Sequence, residues 1–137
     1  MPAGAYRFFD HTGDFGVDVT GADRAAVVEA TARAFLELLT GSVEGVEQRE
    51  ERELVVEGLD PAFTLVKFGN ELLFLFESEG FLCARFSADD VGETWIEGTA
   101  WGEPFDAARH SIARPMKAIT HHEASFSETQ ARLIFDL

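Results

Sequence analysis

Two strand-like runs open the chain. "YRFFD" is followed by "FGVDVTG", in which Phe15, Val17 and Val19 alternate with Gly16, Asp18 and Thr20, the period of two that turns one face to a core. Between the runs, the Gly-x-x-Gly stretch from Gly13 to Gly16 reads as the turn of a hairpin, with both glycines supplying unusual dihedrals. The period then becomes helical. Asp23 is placed as an N-cap, and Val27, Ala30, Ala34 and Leu38, flanked by Val28, Thr31, Phe35 and Leu39, form an apolar stripe that ends at Gly41.

The stretch 42–58 is strongly charged at its centre, and Leu54 and Val56 alternate near its end, so it reads as an exposed loop or edge segment leading into a strand. Asp60 and Pro61 are an N-cap and a first-turn proline. They open a second helix, through about Ser78, whose apolar residues cover more than one face and predict that it is largely buried. From Gly80 onward the period returns to two in "FLCARFSAD", "TWIEGTAW", "PMKAITHHEASF" and "ARLIFDL". Two helices and about six strands, in the order ββα, β, α, ββββ, predict one α+β domain over residues 1–137 with a mostly antiparallel sheet.

Composition narrows the function classes. With 137 residues and 46% hydrophobic content the chain suffices for one core without disulfides or a structural metal. The lone cysteine, Cys83, forms no intramolecular disulfide and no Cys-rich zinc site, which favours a reducing compartment. "MPAGAYRFFDHTG" lacks the basic start and apolar stretch of a secretory signal, and the longest apolar run, "LLFLF", is too short to span a bilayer. The expectation is a cytoplasmic protein with no membrane association. Twenty-five acidic against eleven basic residues give a formal charge of −14, which repels phosphate backbones, so any action on RNA is expected to pass through a partner.

Candidate chemistry is sparse. Asp10, His11, Asp14 and Asp18 gather at the first hairpin, a pattern open to two readings: a hard-cation site built from oxygen ligands, or a polar turn whose aspartates bond nearby main chain. The embedded Asp14-Phe15-Gly16 is no kinase motif, because neither a phosphate-binding glycine loop nor a His-Arg-Asp loop accompanies it. Asp106 stands four residues before His110, and His121 and His122, adjacent on a strand, are expected on opposite faces, so they make no zinc pair. Lys117, in an otherwise apolar strand, is either an edge-protecting lysine or a charge aimed at a functional surface. Asp136 lies on the last apolar strand beside the terminal carboxylate.

Taken together, "HTGDFGVDVTG", "FGNELLFLFE", "GEPFDAARH", "MKAITHH" and the final "FDL" resemble the archease family over Tyr6 to Leu137. Departures fall at Gly13, Phe15, Gly69, Pro115 and His121, where the family usually has other residues. Gly69 alone costs its helix about 1 kcal/mol relative to alanine.

The resemblance implies an accessory protein and not an enzyme: one that promotes guanylylation and multiple turnover of the tRNA-splicing RNA ligase, meeting RNA only through that ligase. It further implies a divalent cation, calcium or magnesium, at Asp14, Asp136 and Leu137, the last through main-chain oxygen. Lys117 takes the place of the family's functional lysine, and His122 joins it as a candidate partner-facing residue. Two alternatives stand beside this reading. One is a free-standing metal-dependent hydrolase with His110 or His122 as general base; the other is a binding module with a structural metal.

Overall fold

The computed structural model describes residues 4–11 and 13–137, with His11 described through its main chain only. The N-terminal Met1–Ala3, Thr12 and the His11 side chain, which belong to the N-terminal and hairpin readings above, lie outside the described residues. Among the described residues the elements are β1 (Gly4–His11), β2 (Asp14–Gly21), α1 (Arg24–Thr40), β3 (Glu50–Glu57), α2 (Pro61–Glu79), β4 (Phe81–Val91), β5 (Trp95–Pro104), β6 (Ala118–Phe126) and β7 (Gln130–Asp136). That is the expected element order, and its strands number seven. The strands form two antiparallel sheets: a four-stranded one in the order β1-β2-β7-β6 and a three-stranded one in the order β3-β5-β4. The fold class is therefore α+β, and both helices pack against strands of both sheets.

Local chemistry starts and stops the helices where the sequence indicates. The Asp23 carboxylate accepts from Ala26 N–H at 2.8 Å, and Asp60 does the same for Phe63 N–H at 2.8 Å. Each such cap is worth about 1 kcal/mol. Gly41 and Gly80 end the two helices in the left-handed region, at φ 88° and 71°, where a Cβ is penalised. Helix α1 is buried on most of its surface, with Val27, Val28, Leu36 and Ala34 wholly covered. Most of the apolar residues of helix α2 are buried, as expected. Its inner face (Leu65, Phe68, Leu72) is covered, yet Phe63 remains 38% exposed and Phe74 60%.

Gly69, the helix-weakening residue, has a packing reason. A Cβ there would meet Ile119 Cγ1 at 3.1 Å, so the missing side chain sets how closely α2 approaches β6. One position on, the Asn70 carboxamide accepts from Ile119 N–H at 3.0 Å and donates to Ile119 C=O at 2.9 Å. Strand β6 is an edge of its sheet, and Asn70 supplies the hydrogen bonds that a further strand would have made.

Strand β6 also differs from the regular strand expected over Pro115–Phe126. It starts at Ala118, pairs normally through Thr120↔Ile134, and resumes only at Ser125↔Arg132. Residues 121–124 thus oppose the single position Leu133, a bulge in which Glu123 takes φ 54°. The expected strict alternation of His121 and His122 is lost: His121, His122 and Glu123 are exposed in succession.

Candidate functional site at the end of the four-stranded sheet

The hairpin brings the first acidic motif to one end of the sheet. His11 pairs with Asp14 across the turn, and Gly13 adopts φ 81°, as a tight turn requires. Gly16, by contrast, has no positive φ. Its lack of a Cβ is used by the Phe9 ring, which lies directly against it. Gly16 is paired with Ile134, a residue on the face away from the main core that is nonetheless only 1% exposed. Phe9 covers this row, and the Arg132 guanidinium lies 4.5 Å above the Phe9 ring.

The turn of the first hairpin and the end of the last strand meet beside that cover. Strand β2 pairs with β7 up to Phe15↔Phe135. Asp14 precedes Phe15 and Asp136 follows Phe135, so the same register ends the two strands with these aspartates side by side. Phe15 and Phe135 pack into the core; alternation turns Asp14 and Asp136 to the opposite face. Strand β6 continues the row, with Ala118 paired to Asp136 and the Lys117 N–H donating to Asp136 C=O at 2.8 Å. Three of the five sequence candidates, Asp14, Asp136 and Lys117, thus share one sheet end, with Leu137 next in the chain. His122 does not join them: it lies in the exposed bulge with its Nε2 3.4 Å from Glu123 Oε2.

The other members of the acidic cluster are separated from this row. Asp18 receives Arg132 through both oxygens, at 2.8 and 3.0 Å. Asp10 is paired with Phe15, and the strand alternation puts it on the face opposite Asp14. Among the described residues no group of three or more His, Cys, Asp or Glu is arranged to hold a metal ion. The hydrogen bonds and ion pairs within the described residues leave the half-buried Asp14 and Asp136 carboxylates unpartnered. Two adjacent carboxylates repel, and a cation relieves the repulsion. The all-oxygen donor set of these carboxylates and the neighbouring main chain suits a hard divalent ion.

A second polar centre lies where β5 runs into the following loop, and of its members the sequence reading singles out Asp106 and His110 but not Glu103 or Arg109. Glu103 is 1% exposed and accepts from Arg109 Nη2 at 2.7 Å, Arg109 Nη1 at 3.1 Å and Glu47 N–H at 2.7 Å. The Arg109 guanidinium and the Glu47 N–H outweigh the desolvation of the carboxylate and hold it down at about 2. His110, itself buried, accepts from Asp106 N–H at Nδ1 (2.9 Å), so its ring proton sits on Nε2, which faces Glu103 Oε2 at 3.0 Å and Gly45 C=O at 3.1 Å. Both ring nitrogens are engaged in holding the loop, which is the ordinary structural role of a buried histidine. The available signal was Glu103 six residues before Arg109, both within the stretch "GEPFDAARHSIAR" that reads as a connection between strands. Burial pushes the Cys83 thiol up to about 12, so this cysteine is an unreactive core residue.

From this loop the chain crosses the end of α1, where Ala113 N–H donates to Leu39 C=O at 2.8 Å, and the Arg114 guanidinium lies 5.0 Å above the Phe15 ring. The loop thereby delivers Lys117 to the acidic row.

Fold and site together define a small α+β protein with two antiparallel sheets packed on a helix pair and an acidic pair where the first hairpin meets the last strand. The model of the Archease protein family matches residues 6–137, and the chain belongs to that family. Protein archease of Sulfurisphaera tokodaii is 34% identical over 119 residues, 86% of this chain and 85% of the relative. Protein archease of Pyrococcus furiosus is 31% identical over 121 residues, 86% and 84% of the two chains. Among solved structures, Methanobacterium thermoautotrophicum protein 1598 aligns over 100% of both chains with a TM-score of 0.76 and 30% identity. The Thermotoga maritima protein described as "an archease, possible chaperone" shares the fold, at a TM-score of 0.61, 15% identity and 94% coverage of each chain. No helix among the described residues is long and apolar enough to cross a membrane.

Proposed function

We propose that the protein is an accessory factor that promotes guanylylation and multiple turnover of a tRNA-splicing RNA ligase, and that its acidic row acts in that role with a divalent cation bound. The observation that carries the proposal is the register that ends β2 and β7 with Asp14 beside Asp136. Family membership supports the reading, as does a formal charge of −14 that disfavours independent RNA binding.

In this reading Asp14, Asp136 and a main-chain oxygen of Leu137 hold calcium or magnesium. The ion supplies a fixed positive charge able to orient phosphate oxygens. The chain's own residues do the positioning. The β2–β7 ladder fixes the spacing of the two carboxylates, and the buried Ile134, two residues before Asp136, lies on the same face of the sheet. Lys117 is exposed, and its ammonium has no ion-pair partner among the described residues, so it is available to a phosphate or an acidic group on the ligase.

The metal-dependent hydrolase is the weaker alternative, because His110 has both ring nitrogens committed to its own loop and His122 lies in the β6 bulge, away from the Ala118–Asp136 pair. The test is transfer of label from radiolabelled GTP to the ligase, with and without this protein. A label appearing faster with the protein present supports the proposal. An unchanged rate, or phosphoester turnover by the protein alone, contradicts it.

A further inference from the structure

We propose that the exposed face of α2 is a docking surface for a basic, amphipathic helical segment of a partner protein. Phe63 and Phe74 stand 11 residues apart on this helix. At 3.6 residues per turn that separation returns within about 20° of one line and spans roughly 16 Å. A stripe of two exposed phenylalanines is surplus to the fold, since the inner face of α2 already fills the core with Leu65, Phe68 and Leu72. A helix apolar beyond one face is ordinarily covered all round, and this one is not.

Beside Phe63 the surface dips into an apolar cavity of about 240 Å³ lined by Phe63, Val66, Lys67, Asn70 and His121. Its far wall is the β6 bulge, with the His121 ring 4.9 Å from the Phe63 ring. A cavity below about 300 Å³ is small for a whole ligand and of a size for one or two apolar side chains. Two apolar anchor points along a helix face are the geometry that receives an amphipathic helix.

Charge selects the occupant. Glu71 and Glu77 rim the stripe, and neither has an ion-pair partner among the described residues. The Lys67 ammonium is drawn aside by the Glu57 carbonyl at 2.9 Å. A second copy of this chain would set the same glutamates against each other in a two-fold contact, and a chain of charge −14 is repelled by an anionic membrane. A lysine- or arginine-flanked segment complements the rim. The proposal does not depend on which protein supplies the segment, so it stands or falls separately from the ligase reading.

The test uses a synthetic helical peptide with leucines on one face and lysines on the other, and a twin with glutamates replacing the lysines. Binding is followed by fluorescence anisotropy. The lysine peptide should bind the wild type, and Phe63→Ser/Phe74→Ser should weaken binding at least about tenfold. Phe74→Ser alone, at a residue 60% exposed and so dispensable for folding, should also weaken it. Val43→Ser, at an exposed valine in another region, should leave it unchanged. Equal affinity in the double variant would overturn the proposal, as would equal binding of the glutamate twin. Self-association in sedimentation that disappears in Phe74→Ser would overturn it in favour of a second copy.

Discussion

Asn70 holds the peptide groups of Ile119 from both sides, accepting from its N–H and donating to its C=O, across 49 residues of sequence. Ile119 is paired with Phe135, the residue before Asp136, so this clamp also fixes the strand that borders the acidic row. Asn70→Ala strands two main-chain groups at a partly buried site, and a loss of about 1–3 kcal/mol is expected in urea denaturation. Asn70→Asp keeps the acceptor for Ile119 N–H but sets a carboxylate oxygen against Ile119 C=O, so it should not recover wild-type stability.

Gly69→Leu is expected to destabilise the fold by about 1–3 kcal/mol despite the better helix propensity of leucine. The space beyond the missing Cβ is already filled by Ile119, whose Cγ1 and Cδ1 lie 3.1 and 3.5 Å from it. Thermal melts of the variant, alone and with Ile119→Ala, check the cause: the second substitution should recover part of the loss.

Stability should fall as the pH drops through the acid range, and Glu103 should carry part of that fall. Its carboxyl, ordinarily near 4.5, is held at about 2 by Arg109 and Glu47 N–H, so between these values the unfolded chain binds a proton that the folded chain does not. The contribution is complete above about pH 4.5 and disappears as the pH falls towards 2. Glu103→Gln should be less stable at neutral pH and show a shallower acid limb in denaturation measured across this range. An unaltered acid limb would remove Glu103 from the account.

Much of this fold is legible in the sequence, because caps, helix stops and strand periods are local. Asp23, Gly41, Asp60 and Pro61 mark the helices that form. What period cannot reveal is which strands pair, and so the single sheet expected from the pattern is two. The β6 bulge was equally hidden, since "THHEAS" contains neither glycine nor proline, and only Glu123 at φ 54° marks it. Phe63 reads as core because apolarity alone does not say whether a neighbour exists to cover it. The pairing of Asp14 with Asp136 arises from topology, so no spacing within either motif could disclose it.

Lys117→Ala should separate stability from function. Its structural hydrogen bond is made by the main chain, which the substitution retains. The exposed side chain should contribute within about 0.5 kcal/mol to folding. Ligase stimulation should nevertheless fall sharply, and full stimulation by the variant would return Lys117 to edge protection alone.

Calcium and magnesium titration by calorimetry should assign the cation ligands. Asp14→Asn and Asp136→Asn are expected to abolish binding. Asp18→Asn should leave it unchanged, because both Asp18 oxygens are held by Arg132. Metal should also raise the melting temperature of the wild type and not of the two site variants. Identical isotherms for wild type and Asp136→Asn would remove the proposed cation site.

The most direct measurement is multiple-turnover ligation of RNA ends bearing a cyclic phosphate, with GTP, a divalent metal and limiting ligase from the same organism. The account predicts no joining by this protein alone, one round or few by the ligase alone, and many rounds with both. The gain should fall as salt rises, because complementary charge speeds encounter, and it should be missing with Asp14→Asn or Asp136→Asn. Ligase turnover unchanged by saturating wild-type protein would contradict the account.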